Sequence, residues 1–282
     1  MKIPAKPLVH GMNWITRFDA LSWDDSKNTK MNFGFLVLEK GQAFVLDHPL
    51  EKAILLMKGD ASLSWKEKGA SKGVEIKVKR ESLFDENPPC LHVPASTVVS
   101  IKASLVPAEL CILMTRNDGS FPATFYEPKD CRSELRGEGT LREASTRIVR
   151  TIFDHDNAPD AQLVLGEVIT YPGKWSSYPP HHHPQPEIYH YRFQPENGFG
   201  FAMLGDEVVK VRNGDTVGIF GVSHPQTAAP GYAMYYLWAI RHLDDKPYGT
   251  KFGTPIFEDE HAWTMKKEND VKIWPHPAKS NK

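Results

Sequence analysis

The stretch QLVLGEVITYPGKWSSYPPHHHPQPEIYHYRF occupies residues 162–193. It opens and closes on short runs rich in Val, Ile, Leu, Tyr and Phe. Each run is too short for a typical helix, and both carry the β-branched and aromatic residues that fit a pleated surface. Between them lie Gly, Ser and Pro, which punctuate a chain as turns do. Two strands joined by a turn-rich connection are therefore predicted. The same pattern recurs in FGFLVLEKG (33–41), KAILLMKGDASLSW (52–65), TVVSIKA (97–103) and LCILMTR (110–116). It returns in DTVGIFG (215–221) and YAMYYLWAI (232–240). Strands at this spacing make an all-β sandwich or barrel. Only two short segments, 141–150 and 258–268, read as helical.

The chain has 282 residues, enough for one large all-β domain or two smaller ones with a sizeable core. Its two halves share an outline: a strand, a Gly-Asp turn (Gly59-Asp60, Gly214-Asp215), a proline-bearing segment, then another apolar strand. An internal duplication is predicted, with barrels over 1–126 and 127–282 and a polar linker at EPKDCRSELRGEG (127–139). The tail HPAKSNK (276–282) reads as a surface segment.

A formal net charge of −1 supplies no basic excess for a phosphate backbone, so no nucleic-acid partner is expected. No apolar leader or span of membrane length is visible, so no membrane partner is expected either. Cys90, Cys111 and Cys131 are odd in number and widely spaced. That fits buried thiols in a reducing cytoplasm better than a disulfide framework.

Chemistry concentrates in YPPHHHPQPEIYHY (178–191), with four His, four Pro and one Glu in fourteen residues. On an extended backbone His181 and His183 face one way and His182 the other. Pro184 and Pro186 favour a turn, after which Glu187 opens the next strand. His224, at the end of another strand, can converge on them. Three neutral imidazoles and one carboxylate suit one divalent ion: Zn first, with Mn, Fe, Co or Ni as alternatives. The competing reading is a solvated His- and Pro-rich loop. The internal position between apolar strands favours the metal. His182 and His190 are expected to face elsewhere, and the first half has no equivalent cluster.

The pattern HxHxxxE with a later His resembles the cupin superfamily. The block GEVITYPGKWSSYPPHHHPQPEIYHYRF is similar to that of the 5-deoxy-glucuronate isomerases of myo-inositol catabolism, as is GVSHPQTAAPGYAMYYLWAI (221–240). LRGEG (135–139) and VPASTVVSIKA (93–103) fit the same layout. The resemblance implies a bicupin, two β-barrels in one chain, with metal held in the C-terminal barrel by His181, His183, Glu187 and His224. It also implies an aldose–ketose isomerase for a sugar acid, taking 5-deoxy-glucuronate to 5-dehydro-2-deoxy-gluconate. The related uronate ketol-isomerases of pectin breakdown, of the 5-keto-4-deoxyuronate type, are the neighbouring possibility. Pro184 and the short PQP depart from the family pattern, in which an acidic residue and a longer insert precede the glutamate.

Such a reaction moves a hydrogen between adjacent carbons, and a Lewis acid would stabilise the charge that develops. Glu167 and Tyr236 are the candidate base and proton shuttle. Lys174, Arg192 and Arg241 are candidates to meet the substrate carboxylate. A homodimer is the expected assembly. A cupin dioxygenase and a sugar-binding cupin are the rival classes.

Overall fold

The computed structural model describes residues 1–67, 69–266 and 273–274. The tail 276–282 lies outside the described residues. Nearly every regular element is a strand, and the helical ones are short 3-10 turns. Of the two segments expected to be helical, 141–150 runs from a short 3-10 turn into strand and 258–268 holds a 3-10 helix, with 267 and 268 outside the described residues. Within 141–150, a single turn at Leu141–Glu143 gives way to the strand Arg147–Phe153; Asp259–Met265 is a 3-10 helix. The β-branched and apolar residues of RIVRTIF override the weak helical reading, because they have sheet neighbours on both sides.

In the C-terminal half, a seven-stranded sheet carries the site. Its order is Lys2–Ile3, Thr216–Phe220, Pro186–Gln194, Ala233–Arg241, Leu163–Thr170, Arg147–Phe153 and Arg132–Arg136. A four-stranded sheet (Trp175–Ser176, Gln226–Ala228, Phe199–Leu204, Glu207–Arg212) lies opposite. Between them is a core containing Val168, Tyr191, Phe193, Val211 and Met234. The N-terminal half has its own nine-stranded sheet around Leu36, Ile54, Leu63 and Ile101.

The long strand Glu51–Trp65 serves both ends of that first half. Up to Lys58 it pairs with Ala108–Thr115, and from Gly59 with Val74–Arg80. Gly59 sits at the change of partner with φ +100, and a Cβ there would lie 2.0 Å from Pro107 O. Only glycine fits both the backbone and the space.

A third core joins the halves. Phe33, Phe35, Leu55 and Leu113 meet Phe153, Leu165, Tyr235 and Leu237 in it. All three cysteines are free and buried there. The expected division at residue 126 is crossed by Lys2–Ile3, which pairs with Thr216–Phe220 of the second half. The expected linker 127–139 also contains a strand, Arg132–Arg136, on the edge of the second sheet.

The strand period of two sorts every residue near the site. On Leu163–Thr170, the side chains of Leu163, Leu165 and Ile169 enter the core between the halves, whereas Val168 enters the barrel. On Ala233–Arg241, Tyr235 and Leu237 face the other half, whereas Met234 and Tyr236 face inward. Gly166 is required between these strands, since a Cβ would meet the Trp238 ring at 2.4 Å.

Candidate metal centre and cavity

A cavity of about 290 Å³ opens inside the C-terminal barrel. His181, His183, Glu187 and His224 are all on its wall. The ligand atoms of His183, Glu187 and His224 lie within 4.8 Å of one another, and these three side chains are buried. His181 stands beside that group, half-buried, with its ring 4.8 Å from the His224 ring.

Each of the three imidazoles is oriented by its own local backbone. His181 Nδ1 lies 2.8 Å from Pro179 O, His183 Nδ1 3.1 Å from Gln185 O, and His224 Nδ1 2.8 Å from Val222 O. A carbonyl can only accept, so Nδ1 carries the proton in each neutral ring. The Nε2 lone pairs are left for the cavity. His183 Nε2 and His224 Nε2 point at Glu187 Oε2 from 3.1 and 3.3 Å. Burial pushes all three imidazoles down to about 4, which keeps them neutral near pH 7. The same burial pushes the Glu187 carboxyl up to about 7, against smaller opposing effects of His224 and a hydrogen bond from Tyr189. Lone pairs that face one another around a buried carboxylate fit a divalent ion of the borderline class.

His182 and His190 lie outside this arrangement. His182 turns to Glu258 at 3.1 Å, and His190 hydrogen-bonds Thr216 beneath the Phe33 and Phe35 rings. The segment after the sheet closes one side of the site. Ile256–Phe257 pairs with His181–His182, and Tyr248 stacks edge-on against His183.

Glu167 and Tyr236, the two expected proton carriers, separate by strand parity. Tyr236 lines the cavity. Its hydroxyl lies 2.5 Å from Ser176 Oγ and 3.1 Å from Ser177 Oγ, and Ser177 Oγ is 3.0 Å from Tyr189 OH. Burial raises the Tyr236 phenol, so it keeps its proton. Glu167 is not on the cavity wall. It faces the N-terminal half, where Arg80 holds both of its oxygens at 2.7 and 2.8 Å and Arg150 and Tyr235 add further bonds. Its neighbour across the sheet is Leu237, one residue from Tyr236, and that single step puts it on the opposite face.

The three expected cations also lie off the cavity wall. Lys174 donates to Glu143 O, Arg192 pairs with Glu109, and Arg241 pairs with Asp244. The cations that do line the cavity are Arg136, Arg147 and Lys251. Arg147 is not apparent as a site residue from local sequence, because 141–150 reads as helical whereas Arg147–Phe153 is a strand. The alternation in RIVRTIF was the available sign that Arg147, Val149 and Thr151 share an inward face.

The chain matches the model of the KduI/IolB family over residues 11–264. It is 33% identical over 261 residues to a 5-deoxy-glucuronate isomerase of Geobacillus kaustophilus, covering 86% of this chain and 88% of that protein. Against the enzyme of the same name from Geobacillus thermodenitrificans it is 31% identical over 263 residues, with 86% and 89% covered. Among solved structures, an IolB-like protein from Salmonella typhimurium superposes with a TM-score of 0.78 at 23% identity, covering 94% of this chain and 99% of that one. An oxalate decarboxylase from Lactobacillus farciminis gives 0.62 at 10% identity, with 85% of each chain covered, which places the architecture among cupin-fold proteins. The family match spans most of the chain and includes every strand that carries a cavity residue, so this protein belongs to the KduI/IolB family.

Proposed function

We propose that this protein is an aldose–ketose isomerase of a sugar acid, converting 5-deoxy-glucuronate to 5-dehydro-2-deoxy-gluconate in inositol catabolism. The observation that carries the metal-dependent form of this reading is the commitment of three Nδ1 protons to backbone carbonyls, which turns Nε2 lone pairs toward Glu187. The relatives of the same family, at 31–33% identity over most of the chain, carry that isomerase name. His181, His183, Glu187 and His224 would hold one divalent ion, with zinc first. When bound, such an ion supplies Lewis-acid polarisation of neighbouring carbonyl and hydroxyl oxygens.

The chain's own side chains do the rest. Glu187 brings a negative charge to a buried site and halves the charge of a dication. Tyr236 keeps its proton on Oη, where Ser176 and Ser177 orient it, and the Ser177–Tyr189 contact extends the line of hydroxyls toward Glu187. A line of hydroxyls at hydrogen-bond distance can move a proton to or from a bound sugar oxygen without admitting bulk water. Tyr248, Phe257 and the loop that carries them limit access from one side. Its workplace is the cytoplasm, where sugar acids are catabolised and thiols stay reduced.

The test is metal analysis followed by incubation with 5-deoxy-glucuronate, watching for the ketose. Stoichiometric metal and turnover in the native protein, both lost in H183A, are expected. Metal-loaded protein without turnover on this or other uronates overturns the proposal.

A further inference from the structure

Arg147 is a buried guanidinium with no carboxylate against it among the described residues. The other buried arginines differ. Arg80 and Arg150 share Glu167, and Arg241 faces Asp244. Arg147 Nη1 donates to Ser145 O at 2.8 Å and Nη2 to Tyr178 O at 2.9 Å, both main-chain carbonyls. Its Nε is buried without a hydrogen-bond partner among the described residues, as are those of Arg80, Arg150 and Arg241, so the missing carboxylate is what sets Arg147 apart. A guanidinium has five N–H donors; with Nε buried and one hydrogen of each Nη in use, one N–H remains on each Nη, and a carboxylate accepts two parallel bonds from such a pair. A buried cation left without an anion is strongly penalised, and so this position is expensive unless something arrives to pair with it.

Its surroundings select the partner. Arg147 lies on the same cavity wall as His181 and Tyr236, on the inward face of its strand. The other two cations of the cavity, Arg136 and Lys251, are exposed and already paired with Glu134 at 2.7 Å and Asp156 at 2.6 Å. The two carbonyls that hold Arg147 sit on separate segments, and Tyr178 leads directly to His181. The fork is thus held in place before any ligand enters.

We propose that Arg147 receives the carboxylate of the substrate and selects sugar acids over neutral sugars. The sugar part of this inference rests on the isomerase reading above, whereas the recognition of a carboxylate rests on Arg147 alone. Lys174, Arg192 and Arg241 have no part in it, since each is engaged elsewhere.

The test is calorimetric titration of the metal-loaded protein with D-glucuronate and with D-glucose, alongside R147Q and R147K. Native protein is expected to bind the acid about 30-fold or more tightly than the neutral sugar, the scale on which a buried charge pair contributes. R147Q should erase that preference at unchanged metal content. R147K should keep part of it, because it retains the charge but not the fork. A native protein with no preference for the acid overturns the proposal, as does R147Q or R147K binding glucuronate as native protein does. Loss of both sugars in equal proportion in either variant also overturns it, since that marks a merely structural residue. Turnover of 5-deoxy-glucuronate is measured separately on native protein. Its absence sinks the isomerase reading while leaving the carboxylate selectivity to be decided by the titrations.

Discussion

Glu187 Oε2 and His183 Nε2 lie 3.1 Å apart, with the His183 Nδ1 proton already committed to Gln185 O. A neutral His183 has no second proton to offer, so an ionised Glu187 meets it lone pair to lone pair. A cation between them resolves that conflict, and a proton is the substitute when no cation is present.

The first prediction follows from that competition. Burial raises the Glu187 carboxyl to about 7, so below that pH a proton must leave before a dication enters. Metal affinity should fall by about tenfold per pH unit as pH drops below 7, and level off above it. Titrations of apoprotein with Zn between pH 5.5 and 8 check this, and a flat profile counts against it. E187Q should bind metal far more weakly at every pH.

Glu167 should prove a stability residue. Removing one partner of a buried ion pair costs about 3–5 kcal/mol, and Glu167 anchors two arginines that join the halves. E167Q should lower the midpoint of denaturant unfolding. Its metal content and its turnover per folded molecule should remain within about twofold of native, the margin for a group outside the reacting shell. A loss of turnover with intact stability would return Glu167 to the catalytic residues.

Tyr236→Phe should remove the proposed proton carrier without disturbing the proposed metal ligands. The expected loss is about 100-fold in kcat with little change in KM, the range for a general acid–base group. Metal content should hold, because Tyr236 hydrogen-bonds Ser176 and Ser177 rather than an imidazole. Steady-state kinetics on metal-loaded protein separate the two parameters.

His242 supplies a pH prediction away from the His181, His183, Glu187 and His224 cluster. It is buried, its Nδ1 accepts from the Tyr248 N–H at 2.8 Å, and burial lowers it to about 4. The folded state therefore holds the proton less tightly than the unfolded chain, whose histidine titrates near 6.5. Its stabilising contribution is complete above about pH 6.5 and is lost as pH falls toward 4. H242Q should flatten the decline in stability between pH 7 and 4.5 by on the order of 2 kcal/mol. Urea melts at both pH values measure it.

Much of the architecture was legible in the primary structure because strands announce themselves locally. The runs at 52–65, 162–171, 187–193 and 232–240 all became strands within a residue or two of where alternation and turn residues put them. The imidazole-and-carboxylate cluster was legible for a similar reason. HxHxxxE is short-range, and the carbonyls that orient His181, His183 and His224 each belong to a residue two positions away. The strand Arg147–Phe153 was missed because a local preference had no view of the two strands that flank it.

What the sequence by itself determined was the inventory: strands, turns, an imidazole-and-carboxylate cluster, and charged residues scattered around it. What only the tertiary structure decided was which face each charged residue occupies. Arg147 and Arg150 are three apart on one strand, and Glu167 and Tyr236 lie one step out of register on two adjacent strands. In each pair one member enters the barrel and the other enters the core between the halves. A strand alternates its side chains whatever the sequence, but which face becomes a cavity depends on what packs against it, and here that is the other half of the chain.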